Sequence, residues 1–156
     1  VDSATMGELV MAGFAKLGFI RFAGIEGEEF AAGHNVVAMS PRPEHFNHNG
    51  DLHAAVLFGL AETAAMGAAV SGIVDVMGET FVVARNGRIE YLARAKGDAG
   101  PFRAAADLDA ALLARIRAAI AERAESEFEI GVRITDDTGK QVAAAAFTAV
   151  LRPRRA

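Results

Sequence analysis

The sequence predicts an α+β domain in which a strongly antiparallel sheet wraps one long apolar helix. Three observations carry that expectation. Between Ala54 and Val74 the only ionisable residue is Glu62, and Ala, Gly, Leu, Met and Val occupy every face. A helix apolar all round is either buried or in a membrane. Two later stretches alternate apolar and polar residues with the period of a half-buried strand. One runs from Arg88 to Lys96; the other sets Phe128, Ile130, Val132 and Ile134 against Glu127, Glu129, Arg133 and Thr135. Asp136-Asp137-Thr138-Gly139 is a hairpin turn by composition. One small sheet closing on a central helix buries both.

The elements follow in order. Val1 to Leu17 reads as a short amphipathic helix, with Thr5 and Glu8 at capping-box spacing and Gly18 as its stop. Phe19 to Phe30 is expected to be extended, with Gly24 and Gly27 as turns or bulges. Gly33 to Met39 is a second strand, ended by Ser40-Pro41-Arg42-Pro43. Glu44 to Asp51 is a polar loop. His53 to Val74 is the apolar helix, about six turns long. Phe81 to Arg85 leads into the Arg88 strand, and Phe102 to Ala106 is the next. Leu108, Leu112, Ile116 and Ile120 form an i, i+4 stripe on a surface helix capped by Asp107 or Asp109. Gln141 to Leu151 returns as a strand, and Arg152-Pro153-Arg154-Arg155 is a solvated tail. Neither a repeat nor a composition break divides residues 1–156, so one domain is expected.

Composition excludes several function classes. The 156 residues are 52% hydrophobic and 23% charged, too apolar for a disordered chain and enough for a core. Without cysteine there is no disulfide scaffold, thiolate zinc site or thiol nucleophile. A net charge of −4, a pI near 5.6 and the lack of a basic stripe argue against nucleic acid. Arginine outnumbers lysine 13 to 3 and alanine is abundant, which reads as GC-rich coding bias. The central segment approaches the ~20 residues of a membrane span. Its acid, however, opposes insertion by roughly 2.5 kcal/mol or more, and amphipathic strands flank it, so no span is expected. No basic–apolar–small signal segment opens the sequence, which makes the cytoplasm the expected location.

Glu62 leads the candidates for chemistry. A carboxylate in an apolar helix is costly unless paired, hydrated or protonated. It either reaches solvent or a core arginine, or serves as the acid of a site. Next is the junction Asn47-His48-Asn49-Gly50-Asp51-Leu52-His53-Ala54-Ala55. A helix starting near His53 leaves the amides of Ala54, Ala55 and Val56 without intrahelical partners, and such an end attracts a carbonyl oxygen or an anion. Seven residues separate Ala55 from Glu62, about two turns, so they share a face roughly 10 Å apart along the axis. An amide donor and a carboxylate so placed are half a constellation for acyl chemistry. The plain alternative is an ordinary capped helix, with Asn49 or Asp51 as cap. His45, His48 and His53, with His34 upstream, match no reliable zinc spacing, and no metal is expected. Neither a G-x-S-x-G elbow nor a P-loop is present.

Asn47-x5-His53-Ala-Ala-x6-Glu62 resembles the Asn-x5-His-Gly-Gly-x6-Asp/Glu motif of hot-dog-fold acyl-CoA thioesterases, nearest the phenylacetate-pathway (PaaI-like) and YiiD C-terminal-like branches. Gly87 to Gly97 resembles the strand after their central helix, and Asp137 to Ala143 their last hairpin; the resemblance spans roughly residues 22–151. It implies a homodimer or tetramer with sites at the subunit interface, Asn47 and the Ala55 amide from one subunit and Glu62 from the other. Glu62 would be the general base or nucleophile. The Ala55 amide would polarise the thioester carbonyl, Asn47 would hold the carbonyl or water, and His53 would shape the start of the helix. Ala54, Phe58, Ala84, Arg85 and Arg88 would contact substrate, the arginines through coenzyme A phosphates. No cofactor is implied beyond the coenzyme A of the substrate; an acyl-carrier-protein thioester is the other substrate form. Two departures stand out. Gly-Gly is Ala54-Ala55, whose methyls crowd the thioester position. The Ser or Thr that some members carry on the next strand falls on Ala84, and Thr80 is too early.

Three functions compete: a thioesterase built on Asn47, Ala55 and Glu62; a non-catalytic acyl-ligand-binding protein, favoured by Ala54-Ala55 and the missing hydroxyl; and a hydratase or dehydratase pairing His48 with Glu62, fourteen residues apart. The last lacks the Pro-Gly signature of such enzymes and leaves His53 unexplained.

Overall fold

The computed structural model describes residues 3–154. Helices α1 (Ser3–Phe14) and α2 (Gly18–Ala23) precede strands β1 (Ile25–Ala31) and β2 (His34–Met39). A loop containing a 3-10 turn (Pro43–His45) leads to the central helix α3 (Ala54–Ser71). After a second 3-10 turn (Val74–Val76) come β3 (Thr80–Tyr91), β4 (Phe102–Asp107), α4 (Ala110–Ala121), β5 (Ser126–Thr135) and β6 (Gln141–Pro153). The strands form one six-stranded sheet, ordered β1-β2-β4-β5-β6-β3, with every neighbouring pair antiparallel.

Helix α3 packs against all six strands. Leu60, Ala61, Ala64, Ala65 and Ala68 are fully buried along it. Alanine at those positions lets the helix axis approach the sheet closely. The sheet answers with larger side chains: Phe102, Ile130, Ile134, Phe147 and Leu151, each 1% exposed or less. On β5 the predicted alternation holds, with Phe128, Ile130, Val132 and Ile134 inside and Glu127, Glu129 and Arg133 outside. The span Ala54–Ser71 meets the length and hydropathy of a membrane helix; here half of it is buried in the protein, with all six strands packed against the helix.

The structure corrects several expectations. Phe19 to Ala23 is helical, not extended: α2 buries Ile20 and Ala23, and Gly24 ends it in the left-handed region at φ 65°. Gly24 supplies that conformation without a Cβ penalty. Helix α1 already includes Ser3, so Thr5 lies inside it and the capping box is not its start. Gly18 opens α2 rather than merely stopping α1. The central helix has 18 residues, five turns rather than six. Phe81 to Arg85 and the Arg88 strand merge into β3 through a bulge between Ala84 and Asn86, and the merged strand ends at Tyr91, short of the expected Lys96. Strand β6 continues to Pro153, and the Arg154 amide donates to the Glu79 carbonyl, so the expected tail is largely part of the sheet. Val1 and Arg155, included in two of the predicted segments, lie outside the described residues.

If α3 is the core, truncating it is costly only on its buried face. Leu60→Ala is expected to lower stability by about 2–5 kcal/mol, and Leu9→Ala, at a side chain 60% exposed on α1, by less than about 0.5 kcal/mol. Urea unfolding midpoints of the two variants check this.

Candidate functional site

The unburied residues of α3 are 54–56, 58, 59, 62, 66, 67 and 70. They form a stripe through Ala55, Gly59, Glu62, Met66 and Val70, the face the sheet leaves uncovered. Helices α1 and α2 lie over part of it. A Cβ built on Gly59 would come within 2.7 Å of the Phe19 ring, so the glycine makes room for α2.

Glu62 lines a cleft of about 390 Å³ between this stripe and the N-terminal helices. Val10, Met11, Phe14 and Leu17 form one wall, Thr63, Met66 and Val70 the other, and Phe30 and Asn35 lie on β1 and β2. Among the described residues no cation and no hydrogen-bond donor meets the Glu62 carboxylate. Burial alone pushes its pKa up from the ordinary glutamate value. The pairing with a core arginine that the sequence left open is therefore absent among the described residues.

The loop before α3 is held by motif residues together with groups outside the motif. His45 is buried; its Nδ1 accepts from the Arg42 amide at 3.1 Å and its carbonyl accepts from the His53 amide at 2.8 Å. Burial, then the neighbouring Arg42 charge, lowers its pKa. The Leu52 amide donates to the Ala95 carbonyl at 2.8 Å, and Arg94 grips Asp51 through two nitrogens at 2.8 and 3.1 Å. Within this frame Asn47 Oδ1 accepts from the amides of Asn49 and Asp51, while its Nδ2 meets no acceptor among the described residues. The cap of α3 is His53 itself, not Asn49 or Asp51: its Nδ1 accepts from the Ala55 amide at 3.0 Å. The amide expected to face a carbonyl is thus occupied. Ala54 and Ala55 are exposed.

The remaining predicted residues divide. Tyr91 Oη reaches the Ala54 carbonyl at 3.3 Å. Phe58 stacks edge-on against Phe147, centroids 5.1 Å apart, and Ala84 pairs with Ala149 on the edge strand. Arg85 and Arg88 lie on the outer face of the sheet, paired with Glu127 at 2.5 Å and Glu129 at 2.7 Å. Thr80 is buried and donates to the Arg152 carbonyl, a structural bond. His34 bridges Glu29 and Asp107, and among the described residues no group of three metal-ligating side chains forms. His48 makes no hydrogen bond or ion pair with Glu62.

Asn35 was not anticipated. Its buried side chain crosses from β2 to α3 and donates to the carbonyls of Ala64 at 3.1 Å and Thr63 at 3.5 Å, pinning the turn after Glu62. Gly67 permits this, since a Cβ there would sit 2.1 Å from Asn35 Nδ2. The available signal was one amide in an otherwise apolar strand, Val36-Val37-Ala38-Met39.

Comparison places this geometry among known folds. The family model described as a domain of unknown function, DUF4442, matches residues 7–151. A search of curated proteins finds no match. Among solved structures, PA5026 from Pseudomonas aeruginosa, a protein of unknown function called a probable thioesterase, superposes with a TM-score of 0.80 at 23% identity, covering 99% of this chain and 97% of that one. The PaaI protein of the Escherichia coli phenylacetic acid degradation operon gives 0.71 at 18% identity, covering 98% and 96%. The TT0310 protein from Thermus thermophilus gives 0.66 at 23%, covering 88% and 98%. The fold is the hot-dog fold.

The raised Glu62 pKa has a signed consequence. Below the ordinary value near 4.5 the carboxyl is neutral in both states. Above it the unfolded chain releases its proton first, so stability falls until pH passes the folded value. Glu62→Gln is therefore expected to be more stable than wild type at pH 7–8, with the difference closing below about pH 4.5. Chemical denaturation across pH checks the sign.

Proposed function

The chain belongs to the DUF4442 family, and on that footing we propose that it is a thioesterase hydrolysing an acyl-CoA or acyl-carrier-protein thioester at a subunit interface. The observation that carries this is Glu62: a half-buried carboxylate, unpaired among the described residues, lining an apolar cleft on the α3 face that the sheet leaves open. The description of PA5026 as a probable thioesterase agrees with that reading.

In this reading Glu62 takes a proton from water as hydroxide adds to the thioester carbonyl. The raised pKa makes the ionised carboxylate a stronger base than an ordinary glutamate. The tetrahedral oxyanion is met by the Ala55 amide and Asn47 Nδ2 of the partner. The C–S bond then breaks, and Glu62 returns its proton to the departing thiolate. For this the carbonyl oxygen displaces the His53 ring from the Ala55 amide. His53 is a placeholder cap in the resting site, whose N–H is held in line for an acceptor. Coenzyme A phosphates at Arg85 and Arg88 would exchange with Glu127 and Glu129. Those pairs are solvent-exposed and cost little to open.

A second copy has a surface to use. Strand β3 is a sheet edge with exposed Phe81, Val83 and Tyr91, followed by exposed Leu92. A long apolar edge invites pairing. Light scattering is expected to give two or four times 16.3 kDa, and Val83→Arg to reduce that mass; a monomeric wild type would remove the shared site.

Thiol release from a panel of acyl-CoAs tests the chemistry. Wild type is expected to turn over at least one, and Glu62→Gln to lose about 10²-fold or more while keeping its oligomeric mass. Hydrolysis within twofold of wild type would dismiss Glu62 as base.

A further inference from the structure

We infer that the cleft beside Glu62 is the acyl-chain channel and that Met66 and Val70 set the chain length it accepts; the thioester identity of the occupant rests on the thioesterase reading. The cleft touches α3 only at Glu62, Thr63, Met66, Gly67 and Val70. It therefore begins at the Glu62 turn and runs toward the C-terminal end of the helix, away from Ala55. In the proposed site a thioester whose carbonyl lies at Glu62 would feed its acyl chain into the cleft at its Glu62 end.

The dimensions limit the occupant. Glu62 to Val70 spans eight residues, about 12 Å of helix axis. Saturated carbon bonds of about 1.5 Å at about 111° advance ~1.25 Å each, so the channel holds roughly eight to ten carbons. Its volume of about 390 Å³ is that of a small-ligand pocket. The lining matches a flexible chain. Three of the five methionines in the sequence, Met11, Met66 and Met77, line it, and unbranched thioether side chains conform to irregular apolar guests. A larger depression on the other side of Met11 and Phe30 lies off the Glu62 face, and its Arg117 is committed to Asp75.

Met66 lies one turn beyond Glu62 and Val70 two, so enlarging them should shorten the channel by different amounts. Two measurements on the full chain test this: hydrolysis of straight-chain acyl-CoAs from four to sixteen carbons, and calorimetric binding of the matching non-hydrolysable S-alkyl-CoA thioethers. Wild type is expected to favour eight to ten carbons in both. Met66→Trp should cut kcat/KM and affinity for ten carbons by about tenfold or more and leave four carbons within about twofold. Val70→Phe should spare six carbons and penalise ten. Both variants are to be read only with wild-type circular dichroism and oligomeric mass, and Val70→Phe stands in if Met66→Trp fails to fold.

A preference that stays put in both variants, or a loss equal at four and ten carbons, overturns the channel assignment. Turnover without any length preference does so too, leaving the thioesterase reading intact. Length-dependent thioether binding that Met66→Trp shortens, with no thioester turned over, upholds the channel and refutes the thioesterase.

Discussion

A helix without a polar face has to be clad, and a single six-stranded sheet cannot clad a cylinder completely. That constraint organises the rest of the molecule. The alanines at 61, 64, 65 and 68 draw α3 onto the sheet, and the geometry leaves one stripe unburied. Glu62 stands on that stripe, the place in α3 where a carboxylate reaches some water without a partner. A carboxylate at position 61 or 65, fully enclosed, would bear the whole desolvation cost. The N-terminal helices cover part of the stripe and leave the rest as a cleft, so the position of the acid and the shape of the cleft share one cause.

The opposite end of α3 is fixed by a different economy. Its preceding loop is anchored through His45, Leu52 and Asp51, which bond to backbone and to Arg94. None of these bonds consumes Asn47 Nδ2. The helix end is capped by the His53 ring rather than by an Asp or Ser. A neutral imidazole accepts at one nitrogen, so His53 satisfies the orphan Ala55 amide, and in the proposed mechanism it yields that amide to the oxyanion. Such a start to the helix is more readily opened than one closed by a carboxylate.

Much of the fold was legible because its causes are local and periodic. The β5 alternation, the Asp136–Gly139 turn and the α4 stripe each follow from the sidedness of one element. Helix α2 was not legible: only Ile20 and Ala23 turn inward, too few to set a period against Gly18, Gly24 and the acids beyond. The merging of two predicted strands into β3 depends on a bulge that absorbs one residue, which no alternation announces. Within the site, Glu62 was legible as a lone charge in an apolar run. Asn35 was not, because its meaning lies in Ala64 and Gly67, some thirty residues away. The alternation already set Arg88 on the polar face of its strand; the carboxylates that Arg85 and Arg88 pair with lie on β5, more than forty residues on, and were not legible.

The replacement of Gly-Gly by Ala54-Ala55 bears on how substrate must approach. Both alanines are exposed, so their methyls meet no wall of this subunit; whatever they crowd comes from outside. The Ala55 N–H points along the helix axis toward the His53 ring, and a methyl on Cα does not stand in that line. An oxygen arriving end-on can replace the imidazole without passing over either methyl, whereas a flat group laid across the first turn meets both. On the proposed thioesterase reading the alanines favour a slender, end-on thioester over a broad one, in keeping with a cleft that follows α3 from Glu62 to Val70. Glycine at these positions would relax that choice and add conformational freedom to the first turn. On that reading the two methyls and the cleft along α3 favour the same slender acyl group from opposite ends of the proposed site.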